Sequence, residues 1–203
     1  MIKSTIRKKH IIWHKGEINR EHRWALNKHK SALIWITGLP ASGKSSIAHA
    51  LESTLIYNKI RAYVLDGDNI RHGLCKDLGF SSSDRRENIR RVGEVAKLFV
   101  DAGIVTIAAF ASPYSHDRLM VREMFNKNDF IEVYLKCSLS VCESRDPKGH
   151  YRMARMGEIK NFTGISDPYE PPEDPEIILE TDKLTIKESV KKIIEYLTAK
   201  QII

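Results

Sequence analysis

Five short apolar runs punctuate an otherwise charged chain: ALIWIT at 32–37, RAYVLD at 61–66, IVTIAAF at 104–110, FIEVYLKC at 130–137 and EIILET at 176–181. Short, nearly continuous apolarity is the mark of strands buried on both faces of a sheet, where a half-exposed strand would alternate. Between the runs the period changes. In SDRRENIRRVGEVAKLFVDAG, at 83–103, Ile89, Val92, Ala96, Phe99 and Val100 recur at helical spacing. Ser83 is expected to cap this helix, Asp84 and Glu87 to suit its positive end, and Gly103 to supply a left-handed stop. Strands alternating with helices require crossover connections, so the chain is expected to be an α/β three-layer sandwich around a mostly parallel five-stranded sheet.

Two stretches depart from this rhythm. Residues 1–30 are polar and basic yet carry Trp13 and Trp24, which predicts an extension packed on the domain or on a dimer partner rather than a free tail. Residues 31–203 then form the main domain. From Asp146 to Pro175 the chain is rich in proline and glycine and carries Lys148, Arg152, Arg155 and Lys160. A long basic loop inside a compact domain predicts a mobile lid over an anionic ligand, with a solvated basic loop as the plainer reading.

Composition narrows the classes. With 203 residues and 42% hydrophobic side chains there is material for one substantial core. Three cysteines, Cys75, Cys137 and Cys142, make neither an even disulfide set nor a CxxC pair, so free thiols are expected. No apolar run approaches the roughly 18 residues of a membrane span, and the basic N-terminus lacks a secretory apolar core, so the expected location is cytoplasmic. The net charge of +7 suits a nucleic-acid binder or an enzyme of polyanionic substrates. Because the charge is divided among the N-terminus, the long helix and the basic loop rather than gathered on one aromatic-lined face, neither a nucleic-acid nor a membrane partner is expected.

The chemistry begins at GLPASGKS, Gly38–Ser45, which fits the G-x-x-x-x-G-K-[ST] phosphate-binding loop and lies between a buried strand and a helical stretch. Gly38 and Gly43 let the backbone curl so that its N–H groups, with those of Leu39, Pro40's neighbours Ala41 and Ser42, and Ser46, surround phosphate oxygens. Lys44 is placed to span the β- and γ-phosphates and the Ser45 hydroxyl to meet Mg²⁺. The expected ligand is ATP with Mg²⁺, and the expected fold is of the P-loop NTPase type.

What receives the phosphoryl group is written further along, in LDGDNIRHGL. Asp66 closes the second strand at the carboxyl edge of the sheet, where such folds bind ligands, and Asp68 follows one glycine later. One carboxylate suits the metal and the other an acceptor hydroxyl's proton. Arg71, Arg85 and Arg86 with Asn88 add forked donors for a second anion. Phe80 and Phe162 interrupt polar loops and suit two sides of a purine ring, or cover for the core. These residues alone fit a kinase of a small anionic or nucleoside acceptor, and less well a nucleic-acid-binding NTPase.

Together with LGFS, DRRENIRRVGEVAKLF, AFASPY, CESRDPKG, GEIKNFTGISDPYEPP and PEIILET, these stretches closely resemble the adenylylsulfate kinase family over nearly the whole chain. The resemblance implies transfer of the ATP γ-phosphoryl group to the 3′-hydroxyl of adenosine 5′-phosphosulfate (APS), giving PAPS and ADP in sulfate activation. It implies an APS site of Asp68, Asn69, Ile70, Arg71, Phe80, Arg85, Asn88, Ala111, Ser112, Lys148, Asn161 and Phe162, with Arg145 near the ATP adenine and Asp66 and Asp68 serving Mg²⁺ and the acceptor hydroxyl. Ser112 matches the family's phosphorylated serine. In-line transfer does not require that intermediate, and the Ser112 hydroxyl equally suits a substrate or backbone contact. The resemblance also implies a homodimer, and it leaves open whether the enzyme works alone or paired with a separate ATP sulfurylase. Cys75 stands where the family often has asparagine, and Ala111 where a larger aliphatic residue is common.

Overall fold

The computed structural model describes residues 11, 12 and 14–203; the expectation attached to Trp13 falls outside the described residues. All five apolar runs are strands: β1 (Leu33–Gly38), β2 (Ala62–Asp66), β3 (Val105–Ala109), β4 (Phe130–Lys136) and β5 (Ile177–Glu180). They pair in the order β2-β3-β1-β4-β5, and every pairing is parallel. The intervening helices are α1 (Arg20–Asn27), α2 (Lys44–Tyr57), α3 (Gly67–Arg71), α4 (Ser82–Asp101), α5 (Ser115–Arg122), α6 (Leu139–Arg145), α7 (His150–Arg155) and α8 (Ile186–Ala199).

The central strand shows why three layers form. Side chains alternate across a strand, so Ile34 and Ile36 join Leu51, Leu55, Ile193 and Leu197 beneath α2 and α8, while Leu33 and Trp35 join Ile89, Val92, Ala96 and Val100 of α4. Trp35 lies in register with Ala108 on one side and Glu132 on the other. Its ring stacks on Phe110 and Phe130 at centroid distances of 5.6 and 6.2 Å. The chain leaves β1 for one half of the sheet and returns to build the other half beyond β4. That reversal opens a crevice at the carboxyl end of β1, the place where open α/β sheets take their ligands.

The structure corrects three expectations. The cap of α4 is Ser81, not Ser83: Ser81 Oγ accepts the Asp84 N–H at 3.1 Å and donates to Asp84 Oδ2 at 2.7 Å. This reciprocal bonding fixes the start earlier and leaves Ser83 in the first turn. Phe99 is half-buried rather than in the core, its ring stacked on Tyr63. Gly103 follows the helix at φ 84, as expected of its stop.

The third correction concerns the segment 146–175, which is not a plain loop. It contains α7, whose Tyr151 and Ala154 are buried with Cys137, Cys142 and Phe162 in an apolar cluster of their own. The tyrosine hydroxyl donates to the Pro40 carbonyl at 2.9 Å, tying α7 to the loop after β1. Breaker residues flank this turn of helix without entering it, which hid it from a reading of the sequence. At the other end of the chain, α1 lies on its own domain. Arg20 pairs with Asp129 at 2.5 Å, Trp24 Nε1 donates to Ser31 Oγ at 2.8 Å, and Asn27 Nδ2 donates to the Gly103 carbonyl at 2.9 Å. The three thiols are free and buried. Among the described residues no helix is long and apolar enough to cross a membrane.

Candidate active site

The turn from β1 into α2 is shaped by two glycines. A Cβ on Gly38 would stand 2.9 Å from the Leu135 carbonyl and from Ser42 Oγ, so no side chain fits there. Gly43, at φ 100, precedes the first residue of α2 in a conformation that L-residues rarely adopt. With Ala41 at φ 58 the backbone alternates into the left-handed region, which turns successive N–H groups toward one concavity at the positive end of a helix. The loop is braced from outside: Thr181 Oγ1, just after β5, donates to the Ser42 carbonyl at 2.9 Å.

Lys44 bends back over this loop, its ammonium donating to the carbonyls of Gly38 and Leu39 at 2.9 and 2.7 Å. Burial lowers its pKa to about 8 despite the opposing attraction of Asp66 and Asp68. The charge is therefore costly in the free protein and favoured by any anion that reaches it.

The two aspartates face different ways. Asp66 is buried and caps α3, with Oδ1 accepting the Asp68 N–H at 2.9 Å and Oδ2 accepting the Ser45 hydroxyl at 2.6 Å. Asp68 is exposed and forms an ion pair with Lys148, which comes from the segment between α6 and α7. A donor on each carboxylate removes the repulsion that their proximity in sequence suggests.

Beyond Asp68 the arginines form a framework. Arg71 Nη1 donates to the carbonyls of Leu78 and Gly79 at 3.1 and 3.0 Å, and its guanidinium lies 4.3 Å from the centroid of the exposed Phe80 ring. Arg85 donates to the Phe80 carbonyl and to Thr163 Oγ1, each at 3.0 Å, and also to the Asn161 carbonyl. Arg85 thereby ties α4 to the 146–175 segment. Asn88 is buried, and its Oδ1 has no hydrogen-bond partner among the described residues. Arg86 turns toward Asp117 at 3.6 Å. Of the two roles expected for the loop phenylalanines, Phe162 shows cover for the core. It is buried edge-on against Tyr151, centroids 5.0 Å apart, so Phe80 and Phe162 are not an equivalent pair of flaps.

Ser112 sits at φ 38 just after β3, buried. Its Oγ accepts the Trp35 indole N–H at 3.1 Å and donates to Thr37 Oγ1 at 3.0 Å. No carboxylate or imidazole is among its hydrogen-bond partners within the described residues.

These groups line one cleft of about 1190 Å³. Pro40–Ser46, Asp66, Asp68 and Arg145 border it, as do Arg71, Phe80, Arg85, Asn88, Ala111, Ser112, Lys148, Asn161 and Phe162. Gly38, Leu39, Asn69 and Ile70 are not on its wall. The first two offer carbonyls to Lys44, and the last two offer carbonyls to His72 and Cys75, closing the turn after α3. Arg145 reaches the Thr181 carbonyl at 2.6 Å. Sequence reading missed Thr181, Leu184 and Thr185, which line the cleft directly after β5. Their position past the carboxyl end of a parallel strand was the available signal.

Residues 30–180 match the adenylylsulphate kinase family. A probable adenylyl-sulfate kinase of Halalkalibacterium halodurans is 55% identical over 97% of this chain and 98% of its own. The adenylyl-sulfate kinase of Staphylococcus epidermidis is 58% identical over 93% of this chain and 94% of its own. Among solved structures, the Mycobacterium tuberculosis APS kinase in complex with AMPPNP and APS superposes with a TM-score of 0.81 at 44% identity, covering 84% of this chain and 99% of that one. With a P-loop at the switch point of a parallel sheet and this kinship over most of its length, the chain belongs to the adenylylsulphate kinase family and is an ATP-dependent kinase of adenylyl sulfate.

Proposed function

We propose that ATP lies on the Gly38–Ser46 loop with its adenine toward Arg145, and that APS lies between Asp68, Arg71, Phe80, Arg85 and Asn88, its 3′-hydroxyl pointing at the γ-phosphate. One observation carries this reading: the P-loop and the acceptor-side arginines line a single continuous cleft of about 1190 Å³, more than the roughly 300–1,000 Å³ of a pocket for one small ligand. Asn88 Oδ1, without a hydrogen-bond partner among the described residues, supports a polar ligand where Asn88 lines the cleft.

In this reading Lys44 leaves the Gly38 and Leu39 carbonyls for the β- and γ-phosphate oxygens and neutralises charge as the phosphoryl group moves. Ser45 and Asp66 would hold Mg²⁺; a hydroxyl and a carboxylate oxygen 2.6 Å apart are the hard donors that this ion takes, with phosphates completing its shell. Bound there, Mg²⁺ supplies further neutralisation of the phosphate oxygens. Asp68, on the side away from Ser45, takes the proton of the acceptor hydroxyl. Lys148 pairs with that carboxylate in the free protein and passes to the acceptor's anionic group when APS arrives. Ser112 shapes the acceptor wall and is not a phosphorylated relay, because its hydroxyl is engaged with Thr37 and Trp35 and has no base beside it.

The direct test is ADP release with ATP and Mg²⁺, with and without APS. Release that is no faster with APS than with water sinks the assignment of acceptor. A second expectation concerns pH. Free Lys44, with its pKa lowered to about 8, is cationic below that pH and neutral above it. Phosphate binds the cation, so nucleotide binding above pH 8 must draw a proton from solution. The Kd for ATP should therefore rise by up to about tenfold between pH 7 and pH 9. Calorimetry in buffers of different ionisation heat would show the proton uptake; a flat Kd across that range would contradict the role of Lys44.

A further inference from the structure

Next to Ser112 lies a buried charged cluster that this chemistry does not use. Arg118 on α5 donates through Nε to Glu132 Oε1 on β4 at 2.8 Å, with the two side chains only 4% and 9% exposed. The other two guanidinium nitrogens donate to backbone: Nη1 to the Ser112 carbonyl and Nη2 to the Glu170 carbonyl, each at 2.8 Å. Glu132 Oε2 accepts from Arg122 at 3.2 Å, and Arg122 forks onto both oxygens of Glu176 at 2.6 and 2.8 Å. Two cations thus face two anions, and the cluster is neutral.

The two carbonyls joined by Arg118 belong to separate segments, of which the first lies on the cleft wall. Ser112 lies in the turn after β3 that presents Ala111, Ser112 and Pro113 to the cleft. Glu170 lies near the end of the 146–175 segment, and its own N–H donates to the Pro113 carbonyl at 2.8 Å. Its carboxylate accepts from the N–H and hydroxyl of Ser115, both at 2.7 Å, at the positive end of α5. Ser112 meanwhile holds the left-handed φ of 38, a conformation that persists only where its surroundings impose it. A buried ion pair is seldom retained for stability alone, since an apolar pair of similar volume serves as well. A planar three-way fork that fixes two separate carbonyls is something no apolar residue or lysine can reproduce.

We propose that Arg118 is a positioning residue for the acceptor. It locks the Ala111–Pro113 turn to the root of the 146–175 segment and so sets the wall against which APS is aligned. The inference rests on the assignment of APS to that end of the cleft. Among the described residues Arg118 makes no hydrogen bond to the Gly38–Ser45 loop, so its influence should fall on the acceptor and not on ATP.

Arg118→Lys keeps the charge opposite Glu132 but loses the fork. It is expected to raise the KM for APS by about tenfold or more, since misplacement by an ångström costs up to a hundredfold, with the KM for ATP unchanged. A merely structural role would lower the active fraction, reducing kcat with both KM values intact; that result, or unaltered kinetics, would overturn the proposal. Should the lysine variant melt below the assay temperature, the double variant Arg118→Met, Glu132→Leu replaces the pair with apolar volume, and the same split of KM values decides. Wild-type turnover with APS, measured alongside, tests the substrate assignment separately.

Discussion

Asp68→Asn is expected to lower kcat by about 10²–10⁴, the usual worth of a positioned general base, while the KM for ATP stays near that of the wild type. The reason is the division between the two aspartates. Asp66 is turned to Ser45 and buried, whereas Asp68 is exposed and faces Lys148 across the mouth of the cleft. Asparagine preserves size and the start of α3, which depends on Asp66, so the fold is left intact. It also frees Lys148 from its ion pair, which should leave APS binding undiminished. Single-turnover measurements with APS saturating would isolate the chemical step. A kcat within a few-fold of wild type would remove Asp68 from the role of base and return it to simple substrate contact.

Lys44→Met should cost about 10²–10³ in kcat, comparable to the loss of one preorganised donor to developing charge. Its thermal stability should meanwhile hold or increase. The two effects have one cause. Burial lowers the lysine pKa to about 8, so the folded protein carries its charge at a cost; methionine relieves that cost and leaves the phosphoryl oxygens without their partner. Melting and turnover measured on the same preparation check both halves. A variant that lost activity together with stability would instead mean that the lysine's bonds to the Gly38 and Leu39 carbonyls hold the loop in shape.

Much of this was legible in the residues. All five apolar runs became strands, but burial on both faces holds only for β1, β3 and β4; β2 and β5 are the edges of the sheet and leave Tyr63 and Ile178 exposed, which apolarity alone did not disclose. The P-loop was legible because its glycines answer a local steric demand, seen in the 2.9 Å approach that a Cβ on Gly38 would make to Leu135. The opposed directions of Asp66 and Asp68 were not, since a one-residue spacer does not say which donors the fold brings to each. The burial of Phe162 was legible only as one of two alternatives, because its pocket is made by Tyr151 and Ala154 on a short helix hidden among prolines and glycines. The Arg118–Glu132 pair left a trace that went unread. A glutamate within FIEVYLK must find a cation, and Arg118 and Arg122 stand one helical turn apart on α5.

The central position of β1 bears on how the protein is made. Leu33 pairs with Thr106 on one side and Phe130 on the other, so the most apolar strand waits for partners encoded far downstream. At a synthesis rate of about 5–20 residues per second the delay lasts several seconds. Throughout it β1, with Trp35 near its middle, lacks both of its native partners. The charges nearest to it in sequence, Lys28 and Lys30 before it and Lys44 after it, are what then oppose edge-to-edge pairing with another chain.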